Sequence, residues 1–241
     1  MTQFLLKLCR KALKIRRNRQ RPAIALLLLC AAALPRFALA QGPLAWPDTF
    51  LSRLEALALV ETLNATLLAA RSATFTLDQW CADHKLSDQT KIRARLVRDV
   101  DKPITAEQRR RLQIGDHEPV KFRHVELTCG DRVLSEADNW YVPARLTAEM
   151  NRLLETTDTP FGRAVADLKP FRQTFAAEIL WRPLHEGWEL HAPPTDHPEQ
   201  TLEIPPRLLE HRALLYTPDL KPIAEVDETY TRENLAFAPP H

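Results

Sequence analysis

Two charged residues sit where strand periodicity otherwise leaves only apolar side chains. Lys121 to Arg132 reads as a β-strand, and alternation puts Arg123, Val125, Leu127 and Cys129 on one face. Near the other end of the chain, Ile223 to Tyr230 puts Ala224, Val226, Glu228 and Tyr230 together. A guanidinium on a buried face costs several kcal/mol unless it meets an acidic or anionic group. Arg123 and Glu228 are therefore expected to line one small-anion pocket in a mostly antiparallel sheet. The other readings are a direct ion pair and charges at strand ends.

The elements that would position these two residues follow from periodicity and turn chemistry. A long helix is expected from Asp48 or Thr49 to about Arg71, carrying Leu51, Leu54, Leu57, Leu63 and Leu67 at helical spacing. Thr76 with Gln79 suggests a capping box opening a second helix, and Thr105 with Gln108 a third. Ile92 to Val97 and the pair Val120 to Thr128 and Arg132 to Val142, turning at Gly130-Asp131, read as strands. Thr147 caps a helix holding Met150, Leu153 and Leu154. From Phe171 a strand is expected with its odd positions (Phe171, Gln173, Phe175, Ala177, Ile179, Trp181) inward. Residues 192–206 hold five prolines and read as a surface loop, and 212–217 and 222–230 as a terminal hairpin. Helices leading and strands following is the α+β order, with helices packed on an antiparallel sheet.

The first 40 residues read as a secretory signal peptide. A basic stretch from Lys7 to Arg21 precedes a 12-residue apolar run, Ala23 to Leu34, and Ala38-Leu39-Ala40 fits a cleavage site. The run is short for a membrane span, which needs about 20 residues, and an uncleaved membrane anchor is the alternative reading. The expected organisation is a leader at 1–40, a linker at 41–47, one domain at 48–232 and a loose tail at 233–241. Export to the periplasm follows. The formal charge of the whole chain is +2, but without the nine cations of the leader 24 Lys and Arg face 31 Asp and Glu, giving −7. Such a chain has no general attraction for nucleic acid or anionic lipid, so a bound anion needs a local site. Cys81 and Cys129 are the two cysteines outside the leader; in an oxidising compartment they invite a disulfide, with two buried thiols as the alternative.

Much chemistry is excluded. The five glycines, at 42, 115, 130, 162 and 187, allow neither a dinucleotide-binding fingerprint nor a phosphate loop, and no G-x-S-x-G elbow exists. No H-E-x-x-H or cysteine pair has zinc spacing, and His191 and His197 lie in the proline-rich loop. No metal and no cofactor are expected.

Several stretches in order along the chain resemble the chorismate–pyruvate lyase family. Arg123-His124-Val125-Glu126-Leu127 followed by Tyr141-Val142-Pro143 is similar to its R-x-(V/I)-x-L strand and the partner ending in V-P. Thr159-Pro160-Phe161-Gly162-Arg163 is similar to its T-P-L-G-R turn, with Phe161 replacing leucine. Lys221-Pro222 and Glu228-Thr229-Tyr230 resemble K-P and E-x-F, and Ser72-Ala73-Thr74 resembles S-(L/M)-T. The resemblance implies a chorismate lyase-like fold, shared with ligand-binding domains of some transcription regulators. It also implies cofactor-free conversion of chorismate, or a related enolpyruvyl aromatic precursor, to 4-hydroxybenzoate and pyruvate. By position, Arg123 would clamp the ring carboxylate and Glu228 would handle the proton at the 4-oxygen, with Phe161 and Ala73 touching the ligand. A non-catalytic periplasmic binder of a small aromatic carboxylate is the alternative. Glu136 and Asp138 share a strand phase with Trp140 and Val142; the outer face is one reading, and on the inner face they would repel a dicarboxylate substrate.

Overall fold

The computed structural model describes residues 45–239. The expected leader at 1–40 and the first part of the expected linker lie outside these residues. The described residues form one compact unit. Its centre is a six-stranded antiparallel sheet with helices packed on it, an α+β arrangement. The helices are α1 (Phe50–Ala69), α2 (Ala73–Asp83), α3 (Ala106–Arg111), α4 (Ala148–Thr156) and α5 (Phe161–Ala164). The strands are β1 (Pro47–Asp48), β2 (Arg93–Val97), β3 (Lys121–Cys129), β4 (Arg132–Tyr141), β5 (Phe171–Ile179), β6 (His197–Thr201), β7 (Arg207–Tyr216) and β8 (Pro222–Thr231). The main sheet runs β2-β3-β4-β8-β7-β5.

Local chemistry sets the helix ends. Thr49 Oγ1 accepts from the backbone N–H of Ser52, and Thr147 Oγ1 from that of Met150. Thr105 and Gln108 complete a reciprocal capping box on α3. The second helix departs from expectation: it starts at Ala73, with Ser72 in the N-cap position, and the Thr76 hydroxyl donates back to the Ser72 carbonyl. The hydroxyl's own helical acceptor takes precedence over the expected box.

Two apolar clusters share one face of the sheet. Val60, Leu63 and Leu67 of α1 and Leu77 and Trp80 of α2 pack on Val125 and Leu127 of β3 and on Leu208 and Leu209 of β7. Met150 and Leu154 of α4 and Val165 pack on Ala213, Leu215 and Val226. A disulfide joins Cys81 of α2 to Cys129 of β3, with the Cα atoms 6.2 Å apart. The segment through α3 crosses the other face, where Leu112 is buried with Val142 and Leu214.

Three expectations need correction. Trp46, assigned to an exposed linker, is only 2% exposed, and its indole N–H donates to the Leu235 carbonyl. Burying an indole with its N–H satisfied outweighs the disorder that Pro43 and Pro47 suggest. The proline-rich loop contains β6, which pairs with β1. The tail is not loose throughout: Asn234 and Leu235 are buried, and Phe237 stacks on His84 with ring centroids 4.3 Å apart.

On the outer face, Asp138 bonds His124 Nδ1 at 2.8 Å and also Lys102, and Glu136 shares that side. Asp227 lies beside them, its carboxyl pushed up to about 6 by burial and then by Glu225, against the pull of Arg212 and Arg111. The folded protein therefore holds this proton better than the unfolded chain. The stability Asp227 supplies is full below about pH 4, the ordinary aspartate range, and is lost as pH rises through about 6. Asp227→Asn is expected to gain on the parent in urea midpoint as pH rises from 4 to 7, and a pH-independent difference contradicts this.

Candidate functional site

Strand register brings the two charged residues of the sequence analysis to one place. Arg123 is opposite Asn139 on β4, Asn139 opposite Val226 on β8, and Val226 opposite Ala213 on β7. Two residues along, Val125, Ala137, Glu228 and His211 form the next row. With a period of two, both rows present the same face to the helices.

A cavity of about 40 Å³ lies over these rows, in the seam between the two apolar clusters. Arg123, Asn139, Val226 and Glu228 form its floor, with Arg172 of β5 at the side. Its roof is made by the starts of two helices, Ser72, Ala73 and Thr74 of α2 and Phe161 and Gly162 of α5. The two starts are in close contact: a β-carbon on Gly162 would collide with Ser72 Oγ. Arg123, Glu228, Phe161 and Ala73, the four residues named from sequence, thus border one cavity.

Arg123 is 5% exposed, and its Nε and Nη2 have no hydrogen-bond partner among the described residues. Burial pulls its pKa below the usual arginine value, the neighbouring Tyr141 acting the other way. The same burial pushes the Tyr141 hydroxyl up to about 12, so it stays protonated. A buried cation with free N–H groups is costly to the ligand-free protein and ready to receive an anion.

Glu228 is not the partner of Arg123. Its Oε2 lies 2.6 Å from Arg172 Nη1, and the Tyr230 hydroxyl donates to the same oxygen at 3.0 Å. The Arg172 side chain is 2% exposed, and its Nη2 is also unpartnered. His211 flanks this group; burial and then Arg172 bring its pKa down to about 4, leaving the imidazole neutral at pH 7. Nε2 is 2.8 Å from Asn64 Oδ1, which can only accept, so Nε2 carries the proton.

Arg172 was missed because the odd positions of β5 were expected inward. β5 is an edge strand with an irregular register between Thr174 and Ala176, and Arg172 pairs with Leu215 on the inner face. Phe175 is on the surface instead, with the Arg111 guanidinium 4.7 Å above its ring. The signal for Arg172 was the unpaired carboxylate at Glu228, which needed a second cation once Arg123 was assigned to a ligand.

The lining carries Arg71, Arg123 and Arg172 against Glu228, an excess of positive charge. The Ser72 side chain makes no capping bond at the start of α2. The arrangement can hold a small anion against Arg123, with Val125, Leu127, Leu215, Val226 and Phe161 as apolar walls. No cluster of side chains able to hold a metal ion occurs among the described residues.

The chain is 52% identical over 196 residues to the uncharacterized protein y4mC of Sinorhizobium fredii (strain NBRC 101917 / NGR234), spanning 81% of this chain and 83% of that one. It belongs to the y4mC family. No family model matches the chain. Among solved structures, the possible transcriptional regulator YydK of Bacillus subtilis overlaps 62% of this chain at 18% identity with a TM-score of 0.38. This chain spans 60% of YydK. PhnF of Mycobacterium smegmatis overlaps 69% of this chain and 66% of its own at 11% identity, with a TM-score of 0.44.

Proposed function

We propose that the protein binds a small organic carboxylate in the Arg123 cavity, outside the cytoplasm. The observation that carries this reading is the buried guanidinium whose Nε and Nη2 have no partner among the described residues. A carboxylate takes two such N–H groups side by side. The apolar walls suit an aromatic or short aliphatic body, and the motif resemblance to chorismate–pyruvate lyases favours an aromatic acid such as 4-hydroxybenzoate. A volume of about 40 Å³ holds a few waters, so a ring enters only if the two helix starts of the roof move outward. The chorismate lyase-like fold and the leader ending at Ala40 belong to this proposal. The disulfide between Cys81 and Cys129 suits an exported protein.

A second reading, cofactor-free lyase action on chorismate, is favoured by Glu228 lining the same cavity. There Glu228 would handle the proton as the enolpyruvyl group leaves. Its carboxylate is already engaged by Arg172, which is why binding is the first reading.

Calorimetric titration of the full chain with benzoate and 4-hydroxybenzoate tests the binding. Uptake of either that disappears in Arg123→Met is expected; no uptake, or uptake unchanged in Arg123→Met, overturns it. Incubation with chorismate, followed for pyruvate and 4-hydroxybenzoate, tests the lyase reading. Product formation lost in both Arg123→Met and Glu228→Gln supports it, and absence of product rejects it.

A further inference from the structure

The cavity floor holds a second unsatisfied group, of opposite hydrogen-bonding sense to Arg123. Asn139 is 3% exposed, lines the cavity, and its Oδ1 is buried with no donor among the described residues. The orientation of the amide follows from its other end: Nδ2 donates at 3.4 Å to the Glu225 carbonyl, which can only accept. The oxygen is therefore the free atom, and an acceptor buried this deeply lacks a hydrogen bond that water or a ligand has to supply.

Asn139 is the direct cross-strand partner of Arg123. Directly opposed side chains start about 4.5–5.5 Å apart at Cβ, so the two can reach neighbouring atoms of one small molecule. Arg123 offers N–H groups and wants acceptor oxygens, whereas Asn139 offers an acceptor and wants a donor. Resting on the reading of Arg123 as a carboxylate site, we infer that the ligand is a 2-hydroxy carboxylic acid, its carboxylate on Arg123 and its 2-hydroxyl donating to Asn139 Oδ1. An ammonium in place of the hydroxyl meets the same geometry, but Arg71, Arg123 and Arg172 outnumber Glu228 around the cavity and disfavour a further cation. The limited volume also favours a short acid over a bulky one.

The test compares matched pairs on the full chain by calorimetric titration: lactate against propionate, and mandelate against phenylacetate, with alanine as the ammonium probe. The hydroxy acid of at least one pair is expected to bind about tenfold more tightly than its partner, the worth of one buried neutral hydrogen bond. Alanine is expected to bind more weakly than lactate. Asn139→Ala is expected to erase the difference, and Asn139→Asp, which keeps the acceptor but adds a charge, to weaken every acid. Equal affinities within both pairs in the parent protein overturn the hydroxyl assignment and leave the Arg123 reading standing. So does a preference that persists in Asn139→Ala. Alanine binding more tightly than lactate replaces the hydroxyl by an ammonium. Failure of every acid, benzoate and 4-hydroxybenzoate included, to bind overturns the Arg123 reading itself.

Discussion

Replacing Glu228 with alanine destabilises the ligand-free protein by about 3–5 kcal/mol, the usual cost of breaking a buried ion pair from one side. The substitution strands the Arg172 guanidinium, whose side chain is 2% exposed and whose Nη1 now faces Glu228 Oε2 at 2.6 Å. It also removes the acceptor of the Tyr230 hydroxyl, which is fully buried. Urea unfolding of parent and variant measures the loss directly, and an effect under about 1 kcal/mol would show that the pair is solvent-relaxed. The double variant Glu228→Leu, Arg172→Met recovers most of the loss, because apolar groups of similar size replace a buried pair at little cost. This outcome separates the structural role of Glu228 from any role in chemistry. Activity lost in Glu228→Ala alone is therefore ambiguous, and Glu228→Gln is the better probe of proton handling.

The second large effect concerns the Cys81–Cys129 disulfide. The bond closes a loop with a sequence separation of 48 residues, and the chain-entropy relation gives such a closure about 4 kcal/mol of stabilisation. Cys81→Ala with Cys129→Ala is expected to lower the unfolding free energy by that order. Both half-cystines are buried, so truncating the sulfurs adds a small packing loss. The bond links α2, whose start roofs the cavity, to β3, which carries Arg123. Ligand affinity is expected to fall together with stability in the double variant. Unfolding midpoints under reducing conditions that match those of the oxidised protein contradict the stabilising role.

Much of the fold was legible because its signals are local. Alternation along β3, β4 and β8 gave the inner face, and short polar residues before apolar runs gave the starts of α1, α3 and α4. The candidate site was legible to the extent that charge on an apolar face is anomalous, which singled out Arg123 and Glu228. What escaped depended on long-range packing. Trp46 reads as linker until it meets the Leu235 carbonyl at the far end of the chain. β6 forms where a proline-rich segment meets Pro47–Asp48, a pairing no local pattern specifies. Arg172 escaped because an edge strand with a register irregularity does not keep one phase, and its apolar residues were read as the buried set. Asn139 escaped because an asparagine on a half-polar strand is unremarkable until its amide oxygen is found without a donor.

On the proposed reading, Arg123 is held unpaired for an exogenous carboxylate. Thermal unfolding of the parent and of Arg123→Met, with and without a saturating carboxylate, tests it most directly. Arg123→Met is expected to raise the Tm of the ligand-free protein by a few degrees, since it removes a buried charge lacking a partner. The parent is expected to gain about 2.7 kcal/mol at a ligand concentration one hundred times its Kd, and the variant nothing. A variant that loses stability as heavily as Glu228→Ala while keeping the parent's response to ligand contradicts the claim, because Arg123 then serves the fold and the anion binds elsewhere.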